Sequence, residues 1–373
     1  MTITIGALRE SAEGEKRVSL VPEVAEKFMR AGAAVVLERG AGERAQFADG
    51  AYRGVEWSDA AGVLGRAQVL LTVQPLGVER IRQLKAGTVV VGFLQPYARR
   101  EEVLALRDGG ITSFAMELVP RISRAQSMDA LSSQASIAGY KAVLIAANEL
   151  AKFLPMLTTA AGTIRPAQVL VIGAGVAGLQ AIATARRLGA VVEAYDVRAA
   201  TREQVKSLGA KFLETGVSAE GSGGYARELT EQEKRRQQEV LDARIGAADA
   251  LISTAAVPGR AAPKIILRGA IERMRPGSVV VDIAAEQGGN CELTRPGQTV
   301  VHQGVRVIGP VNLAAELAYN ASEMYARNLL NFLSPALKAG ELAIDWQDEV
   351  FAQACLTHGG QIRHEPTRQA VAG

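Results

Sequence analysis

The stretch QVLVIGAGVAGLQAIATARRLGAVVEAYD, from Gln168 to Asp196, decides the fold. Its apolar start is typical of a strand buried on both faces. Three glycines follow, Gly173, Gly175 and Gly178. A helix pattern and a second strand lead from them to Asp196. A glycine turn alone is also typical of an ordinary βα connection. The full order of strand, glycines, helix, strand and acidic residue instead predicts a dinucleotide-binding unit.

The glycines have different predicted roles. Gly173 permits a tight turn, Gly175 lets the main chain approach a pyrophosphate, and Gly178 allows the helix to pack closely on the strand. The helix N-terminus offers N–H groups and a positive dipole end to that pyrophosphate. Asp196 is placed to accept hydrogen bonds from ribose hydroxyls and repels a 2′-phosphate, so NAD(H) is predicted over NADP(H). Arg198 is of a type that accommodates such a phosphate, and we still favour NAD(H).

Composition excludes several classes of protein. The 373 residues suffice for about two domains. Basic and acidic residues are interspersed and nearly balanced, at 42 and 39, which argues against a nucleic-acid groove. No apolar stretch reaches the roughly 20 residues of a membrane helix, and the N-terminus does not resemble a signal peptide. Two cysteines, Cys291 and Cys355, are too few for a disulfide scaffold or a zinc cluster. We expect a cytosolic protein without a metal site.

The chain order predicts an α/β fold of two Rossmann-like, doubly wound domains with a cleft between them. Strand-like and helix-like segments alternate through the first third, which favours a parallel sheet. The predicted N-terminal domain is 1–131, completed by 320–373, and the predicted Rossmann domain is 132–319. Residues 158–166 are predicted as a loop and 342–351 as strand-like. The segment 214–225, rich in glycine and serine, is either a lid or a surface loop.

Three further stretches make a family resemblance specific. They are PRISRAQSMDALSSQ from Pro120, DVRAATREQVKSLGA from Asp196 and GGYARE from Gly223. Together with the glycine unit they resemble the NAD(H)-binding alpha subunit, or domain I, of proton-translocating NAD(P)+ transhydrogenase. This subunit belongs to the alanine dehydrogenase/transhydrogenase family. The N-terminal RESAEGEKRVSLVPE is similar to that of the alanine dehydrogenases.

The resemblance implies an enzyme subunit that works in a complex. In that family the two domains form a cleft, two copies form a homodimer, and hydride passes directly between NAD(H) and NADP(H) held by a partner subunit. Membrane-embedded partners translocate the protons. The chain is therefore expected in the cytoplasm, peripheral on the inner face of the cytoplasmic membrane through its partners. It is expected to have no membrane span of its own and no nucleic-acid partner.

The resemblance also implies site residues. Arg121, Gln126, Asp129 and Ser132 are implied as the catalytic residues around the nicotinamide and its ribose. The implied cofactor-binding residues are Arg121, Ile122, Ser123, Arg124, Gln126, Asp129, Ser132, Gly173, Gly175, Val176, Gly178, Asp196, Val197, Arg198, Gly224, Tyr225 and Ala256. Among these, Gly224 and Tyr225 are implied to form the lid. The alternative interpretation of the polar run is a helix N-cap, with Ser127 or Asp129 as the capping residue.

Two other functions stay open. Alanine dehydrogenase chemistry needs proton-handling groups beside the hydride acceptor. That branch implies a lysine in the stretch here reading LLTVQP and a histidine in that reading VVVGFLQP, where Gln74 and Phe93 stand near the expected places. It also implies an aspartate where Glu286 stands. Direct hydride transfer needs positioning and water exclusion but no general acid or base. The third interpretation is a non-catalytic NAD(H)-sensing subunit.

Overall fold

The computed structural model describes residues 2–216, 230–255 and 261–372. They form two compact units. Unit 1 comprises Met1–Gln134 and Ala314–Gly373, and unit 2 comprises Ala135–Leu313. The sequence instead places the boundaries after residues 131 and 319.

The strands, in chain order, are β1 (Thr4–Ala7), β2 (Ala34–Glu38), β3 (Glu56–Ser58), β4 (Val69–Leu71), β5 (Val89–Gly92), β6 (Thr112–Ala115), β7 (Leu157–Thr159), β8 (Gly162–Ile164), β9 (Gln168–Ile172), β10 (Val191–Tyr195), β11 (Lys211–Phe212), β12 (Ala250–Ser253), β13 (Val279–Asp282), β14 (Thr299–His302), β15 (Val305–Ile308), β16 (Leu337–Lys338), β17 (Glu341–Leu342), β18 (Cys355–His358) and β19 (Gln361–Ile362). The helices are α1 (Pro22–Arg30), α2 (Ala60–Arg66), α3 (Val78–Ile81), α4 (Arg100–Asp108), α5 (Ala130–Glu149), α6 (Val176–Arg187), α7 (Arg202–Ser207), α8 (Glu231–Ala247), α9 (Arg268–Ile271), α10 (Ala318–Leu333), α11 (Glu349–Ala354) and α12 (Glu365–Ala372).

Unit 1 is built on an eight-stranded sheet in the order β19-β18-β6-β5-β4-β1-β2-β3. Strands β1 to β6 are parallel, and their order is the 3-2-1-4-5-6 order of doubly wound nucleotide-binding folds. Strand β18, from near the end of the chain, pairs antiparallel with β6. The topological switch point, where ligands of such sheets bind, lies between β1 and β4.

Unit 2 repeats this arrangement in one continuous piece of chain. Its seven-stranded sheet has the order β11-β10-β9-β12-β13-β15-β14, with only β14 antiparallel. The switch point lies between β9 and β12. The expected fold class, α/β with two Rossmann-like doubly wound domains, is therefore confirmed for each unit.

Apolar periodicity explains both layers. Strands such as β5, with the sequence VVVG, and β13, with VVVD, are buried along their whole length because helices cover both faces of the sheet. Helix α1 has Pro22 in its first turn and buries Val24, Ala25 and Phe28. Helix α10 contributes Tyr325, Leu329 and Phe332 to the unit 1 core, among other residues.

Two predictions of local structure are wrong. The predicted loop 158–166 contains the hairpin of β7 and β8, because its β-branched threonines favour extended backbone and Gly162, at φ 122°, makes the turn. The predicted strand 342–351 is largely irregular. It ends in helix α11, which Asp348 caps by accepting a hydrogen bond from the Val350 N–H. In the part of the chain that the structure describes, no helix is both long and apolar enough to cross a bilayer.

Candidate nucleotide site

The glycine turn of unit 2 has the close contacts that its spacing predicts. Gly173 has φ 93°, and a Cβ at this position would lie 2.5 Å from Thr254 Oγ1. A Cβ on Gly178 would lie 1.8 Å from the Gly173 carbonyl oxygen. Both positions therefore require glycine. The Thr254 hydroxyl donates to the Gly173 carbonyl at 3.1 Å, a contact that the sequence motif does not reveal.

Gly175 differs, because an added Cβ there would meet open space. It is the N-cap of α6, and no side chain caps that helix. Val176, the first helical residue, is 42% exposed. An uncapped helix N-terminus beside open space fits a pyrophosphate, since its N–H groups and dipole favour an anion. The structure thus provides the cradle that a dinucleotide requires.

Asp196 lies at the end of β10 with its carboxylate held on several sides. It accepts hydrogen bonds from the Ala174 N–H at 2.7 Å and from the Arg198 N–H at 2.8 Å. The Arg198 guanidinium donates two more, each at 2.9 Å. Burial would raise the pKa of Asp196, but these hydrogen bonds hold it below its usual range. The carboxylate is therefore charged at neutral pH, whereas the side chain of Val197 beside it is 64% exposed.

The polar run of unit 1 forms a 3-10 helix, Ser123–Met128, that leads into α5. Ala125 and Met128 bury their side chains in the unit 1 core, and Ile122 packs against it. Runs of 3-10 helix longer than three or four residues are uncommon because their hydrogen-bond geometry is poor. This six-residue segment therefore depends on contacts with the rest of the unit.

Some predicted site residues in this run have internal partners. Arg124 makes a two-pronged ion pair with Asp348, at 3.0 and 2.7 Å, which ties the run to the start of α11. Asp129 accepts hydrogen bonds from the Ser132 N–H at 2.8 Å and from the Ser132 hydroxyl at 2.6 Å. Asp129 thus caps α5, as the structural alternative predicts. Capping leaves a role in nucleotide binding open to both residues.

Arg121 and Gln126 differ from these residues. Both are exposed, as is Ser123. Among residues 2–216, 230–255 and 261–372, neither the Arg121 nor the Gln126 side chain makes a hydrogen bond or an ion pair. Their anchored backbone and free polar ends make them the members of the run best placed to contact a ligand.

Two family models match the chain, the alanine dehydrogenase/PNT N-terminal domain over residues 6–138 and the alanine dehydrogenase/PNT C-terminal domain over residues 142–365. The chain belongs to the alanine dehydrogenase/PNT family. It is 46% identical over 370 residues to an NAD(P) transhydrogenase subunit alpha of Rhodospirillum rubrum, in a match that covers 95% of this chain and 96% of that relative. The family membership inferred from the sequence motifs is therefore confirmed.

Solved structures of family members match the whole fold. The crystal structure of transhydrogenase from Sinorhizobium meliloti has a TM-score of 0.88 at 43% identity, covering 96% of this chain and 99% of that one. An L-alanine dehydrogenase has a TM-score of 0.84 at 25% identity, covering 99% of each chain. Because both branches of the family share the fold, the residues of the site must distinguish their chemistry.

The switch point of unit 1 is filled by the protein's own polar side chains. Gln95 Nε2 donates to Gln74 Oε1 at 3.1 Å, and Gln74 Nε2 donates to Glu15 Oε2 at 2.8 Å. Gln95, rather than the Phe93 singled out in the sequence, is thus the residue after β5 that contacts Gln74. Both are neutral amides. They follow the strands in which the alanine dehydrogenase branch of the family implies lysine and histidine.

A buried ion pair supports this network. Arg17 donates to both carboxylate oxygens of Glu15, at 2.8 and 2.6 Å, and to Gln134 Oε1 at 2.8 Å. Burial would raise the pKa of Glu15, but the Arg17 guanidinium holds it below its usual range. The sequence could not assign Arg17 a role because both branches of the family share it. Its observed contacts lie within unit 1.

Two further carboxyls hold the loops that follow β4 and β5. Glu10 accepts the Val73 N–H at 2.6 Å, and Glu117 accepts the Gln95 N–H at 2.7 Å. Loss of hydration on burial raises the pKa of each to about 7. A carboxyl with a raised pKa stabilises the folded state when protonated. Its contribution is therefore complete below the unfolded-state pKa and is lost as the pH rises through the folded-state value.

This sign gives a testable pH dependence. Glu10 should add on the order of 3 kcal/mol to the free energy of unfolding at acid pH, because its pKa rises from 4.5 to about 7. We expect that contribution to disappear between pH 4.5 and pH 7 and the slope over this window to be smaller in Glu10→Gln. Chemical denaturation across the window measures it. Glu13→Gln, a change at an exposed glutamate nearby, should keep the wild-type slope. An unchanged slope in Glu10→Gln would contradict the assignment.

The loop after β13 contains two buried residues that the sequence motif does not single out. Asp282 accepts hydrogen bonds from the Cys291 N–H at 2.9 Å and the Thr294 hydroxyl at 2.6 Å. Asn290 accepts from the Ser253 hydroxyl at 2.6 Å and donates to the Ala255 carbonyl at 2.7 Å. These bonds fix the loop ends at the nucleotide edge of the sheet.

The remaining predicted residues cannot be placed. Gly224, Tyr225 and Ala256 lie outside the described residues. Within the described ranges, no group of three or more His, Cys, Asp or Glu side chains is arranged to hold a metal ion.

Proposed function

We propose that this chain is the NAD(H)-binding subunit of a proton-translocating, Re/Si-specific NAD(P)+ transhydrogenase. Hydride passes directly between NAD(H) on this subunit and NADP(H) on a partner subunit, and membrane-embedded partners couple the transfer to proton translocation. The observation that carries the proposal is the polar run, in which Arg121 and Gln126 stand exposed on an anchored backbone, without a side-chain partner in the described ranges. The high identity to a transhydrogenase alpha subunit supports it.

Unit 2 is proposed to hold the adenosine half of NAD(H). The first-turn N–H groups of α6, next to Gly175 and Val176, would bind the pyrophosphate, and Asp196 would accept hydrogen bonds from the ribose hydroxyls. Val197 and Arg198 would border the adenosine. We also propose nucleotide contacts for Gly224, Tyr225 and Ala256, as the family resemblance implies.

The polar run of unit 1 is proposed to take the nicotinamide end. Bound NAD(H) supplies or accepts the hydride at its nicotinamide ring. Arg121 and Gln126 orient that ring and its ribose, and Asp129 and Ser132 fix the turn from which they project. Ile122, Ser123 and Arg124 complete the binding segment. Direct hydride transfer requires this positioning and does not require the chain to move a proton.

The neutral amides that follow β4 and β5 argue against alanine dehydrogenase chemistry. Gln74 and Gln95 cannot titrate, and their amides are hydrogen-bonded to each other. The three histidines have partners elsewhere. His302 lies at 2.9 Å from Glu272, His358 at 3.0 Å from Thr112, and His364 at 2.8 Å from Thr367. No specific observation favours amino-acid oxidation.

A reconstitution assay tests the function. The chain is mixed with an NADP(H)-binding transhydrogenase component, and reduction of an NAD analogue by NADPH is followed. A parallel reaction contains alanine and NAD+. We expect transfer only in the first. Activity with alanine would establish the alternative enzyme, and binding of NADH without either activity, in a mixture shown to associate, would favour the sensing subunit.

Cofactor preference gives a second expected result. Wild-type chain should bind NADH more tightly than NADPH. Asp196→Asn removes the charge that repels a 2′-phosphate and releases the Arg198 guanidinium, which is 60% exposed. We expect the NADH affinity to fall about ten-fold and the preference for NADH to shrink or reverse. Fluorescence titration with both nucleotides measures this. Asp242→Asn, on α8 of the same unit, is the control, and an unchanged preference in Asp196→Asn would contradict the assignment.

We propose that two copies associate through the hairpin of β7 and β8. Every residue of these two strands is exposed. A two-stranded hairpin is marginal alone in water, and exposed apolar side chains mark interfaces. The exposed apolar residues on and beside it are Phe153, Met156, Leu157 and Ile164. The occupant proposed is a second copy of this chain, as the family resemblance implies.

Sedimentation velocity tests the homodimer. Wild-type chain should sediment as a dimer, and Met156→Asp should shift it toward monomer because a charge would be buried in the contact. Val301→Asp places the same charge at a 65% exposed position on β14 and should leave the dimer intact. A monomeric wild-type chain, or equal behaviour of the two variants, would remove the hairpin proposal. The subunit is proposed to reside in the cytoplasm and to bind the inner face of the cytoplasmic membrane through its partner subunits.

A further inference from the structure

The carbonyl end of the polar run has two amide partners on α10. Ser127 is the fifth residue of the 3-10 helix, and the last carbonyls of a helix lack partners within it. The Ser127 carbonyl oxygen accepts a hydrogen bond from Asn328 Nδ2 at 2.8 Å and another from Asn331 Nδ2 at 3.1 Å. The run is therefore tied at its end by a helix that lies about 200 positions further along the chain.

Asn328 makes a second contact with the same part of the chain. Its Oδ1 accepts the Ser133 hydroxyl at 2.7 Å, and Ser133 lies in the first turn of α5. One amide thus holds the end of the 3-10 helix through its donor and the start of α5 through its acceptor. Asp129, which caps α5, lies between these two points. The side chain of Asn328 is 7% exposed, so water does not compete freely for these bonds.

The base of Asn328 is rigid. Its neighbours on the core face of α10, Tyr325, Leu329 and Phe332, are fully buried. The Tyr325 hydroxyl donates to the Thr72 carbonyl at 2.8 Å. Asn331, in contrast, contributes one longer bond from a more exposed position. Asn328 is therefore the stronger of the two ties.

We propose that Asn328 is a positioning residue for hydride transfer. It touches neither cofactor nor substrate in this assignment. It fixes the backbone from which Gln126 projects and keeps that backbone in register with the α5 cap. This inference rests on the proposed function of the polar run. Its specific content is that loss of the Asn328 amide slows transfer without weakening NADH binding to unit 2.

The test is Asn328→Asp in the full chain. The substitution keeps the size of the side chain but replaces its donor by a carboxylate oxygen, which faces the Ser127 carbonyl without a proton. We expect the transfer rate to an NADP(H)-binding component to fall about ten-fold. The Kd for NADH should stay within about two-fold of wild type, because the adenosine site is unchanged. Asn320→Asp adds the same charge at an exposed position of α10 and should transfer hydride at the wild-type rate.

Two further measurements keep the inference falsifiable if Asn328→Asp folds poorly. Ser133→Ala removes only the bond to Asn328 Oδ1 and should slow transfer by a smaller factor, about three-fold. Hydrogen–deuterium exchange of the backbone amides of residues 123–128 should accelerate about ten-fold in Asn328→Asp and remain unchanged in Asn320→Asp.

The outcomes separate the two levels of the argument. No transfer by wild-type chain, in a mixture shown to associate, would refute the proposed function, and the exchange data would still test whether Asn328 holds the run. Wild-type transfer together with a folded Asn328→Asp variant of equal rate would overturn the inference. Equal slowing in Asn320→Asp would also overturn it, because the effect would then follow from charge on α10.

Discussion

Gln126→Ala is expected to slow hydride transfer about 10- to 100-fold while leaving the Kd for NADH nearly unchanged. The Gln126 side chain is exposed, and the structure describes no hydrogen bond from it, so its removal breaks no contact seen in unit 1. Any loss of rate would then report a contact made during transfer. Single-turnover transfer to an NADP(H)-binding component, with fluorescence titration of NADH, separates the two quantities.

Gln83→Ala provides the matched control. Gln83 is also an exposed glutamine of unit 1, and its side chain donates to the Glu79 carbonyl at 3.1 Å, away from the polar run. This variant should transfer hydride at the wild-type rate. If Gln126→Ala also kept that rate, Gln126 would have no place in the reaction. If NADH affinity fell in proportion to the rate, Gln126 would bind cofactor equally in the ground and transition states.

Gly175→Ala and Gly178→Ala should fail in opposite ways. At Gly175 the new Cβ meets no protein atom, so the melting temperature should hold. The NADH affinity should nevertheless fall about 10- to 100-fold, because a methyl group would stand where the backbone must approach the pyrophosphate. At Gly178 the new Cβ would lie 1.8 Å from the Gly173 carbonyl oxygen. That variant should lose about 3 kcal/mol of stability, since the helix must move away from the strand.

Thermal unfolding and NADH titration of both variants test this contrast. Gly269→Ala, in α9 of the same unit, also meets open space and should change neither quantity. A destabilised Gly175→Ala would mean that this glycine serves the fold rather than the ligand. Full NADH affinity in a stable Gly175→Ala would place the pyrophosphate elsewhere.

The sequence predicted the parts of the fold that depend on local pattern. The βαβ unit from Gln168 to Asp196 could be recognised because buried parallel strands, a glycine turn and an amphipathic helix each leave a short-range signal. The capping role of Asp129 was predictable for the same reason, as its partner Ser132 is three positions away. The hairpin of β7 and β8 was missed because its short, wholly exposed strands lack an apolar alternation.

Contacts between distant parts of the chain were not predictable. Arg124 looks like a free cation in the sequence, but its partner Asp348 lies 224 positions later. Gln95 could not be distinguished from Phe93 as the neighbour of Gln74, because the backbone leaves β5 in a turn where Gln95 has φ 49°. The ties from Asn328 to Ser127 and Ser133 likewise carry no motif. A single sequence shows residue types at these positions and does not show which of them meet.

The pairing of β18 with β6 has a consequence for biosynthesis. Unit 2 is one uninterrupted segment that ends at Leu313, whereas unit 1 draws its last strands from residues beyond 354. A ribosome that has released unit 2 still holds the partner of β6, so the hydrogen-bonding edge of β6 stays open until synthesis is almost finished. The half of the molecule that is made first is therefore the last to be completed. Stalled or truncated chains should expose that edge and aggregate through it.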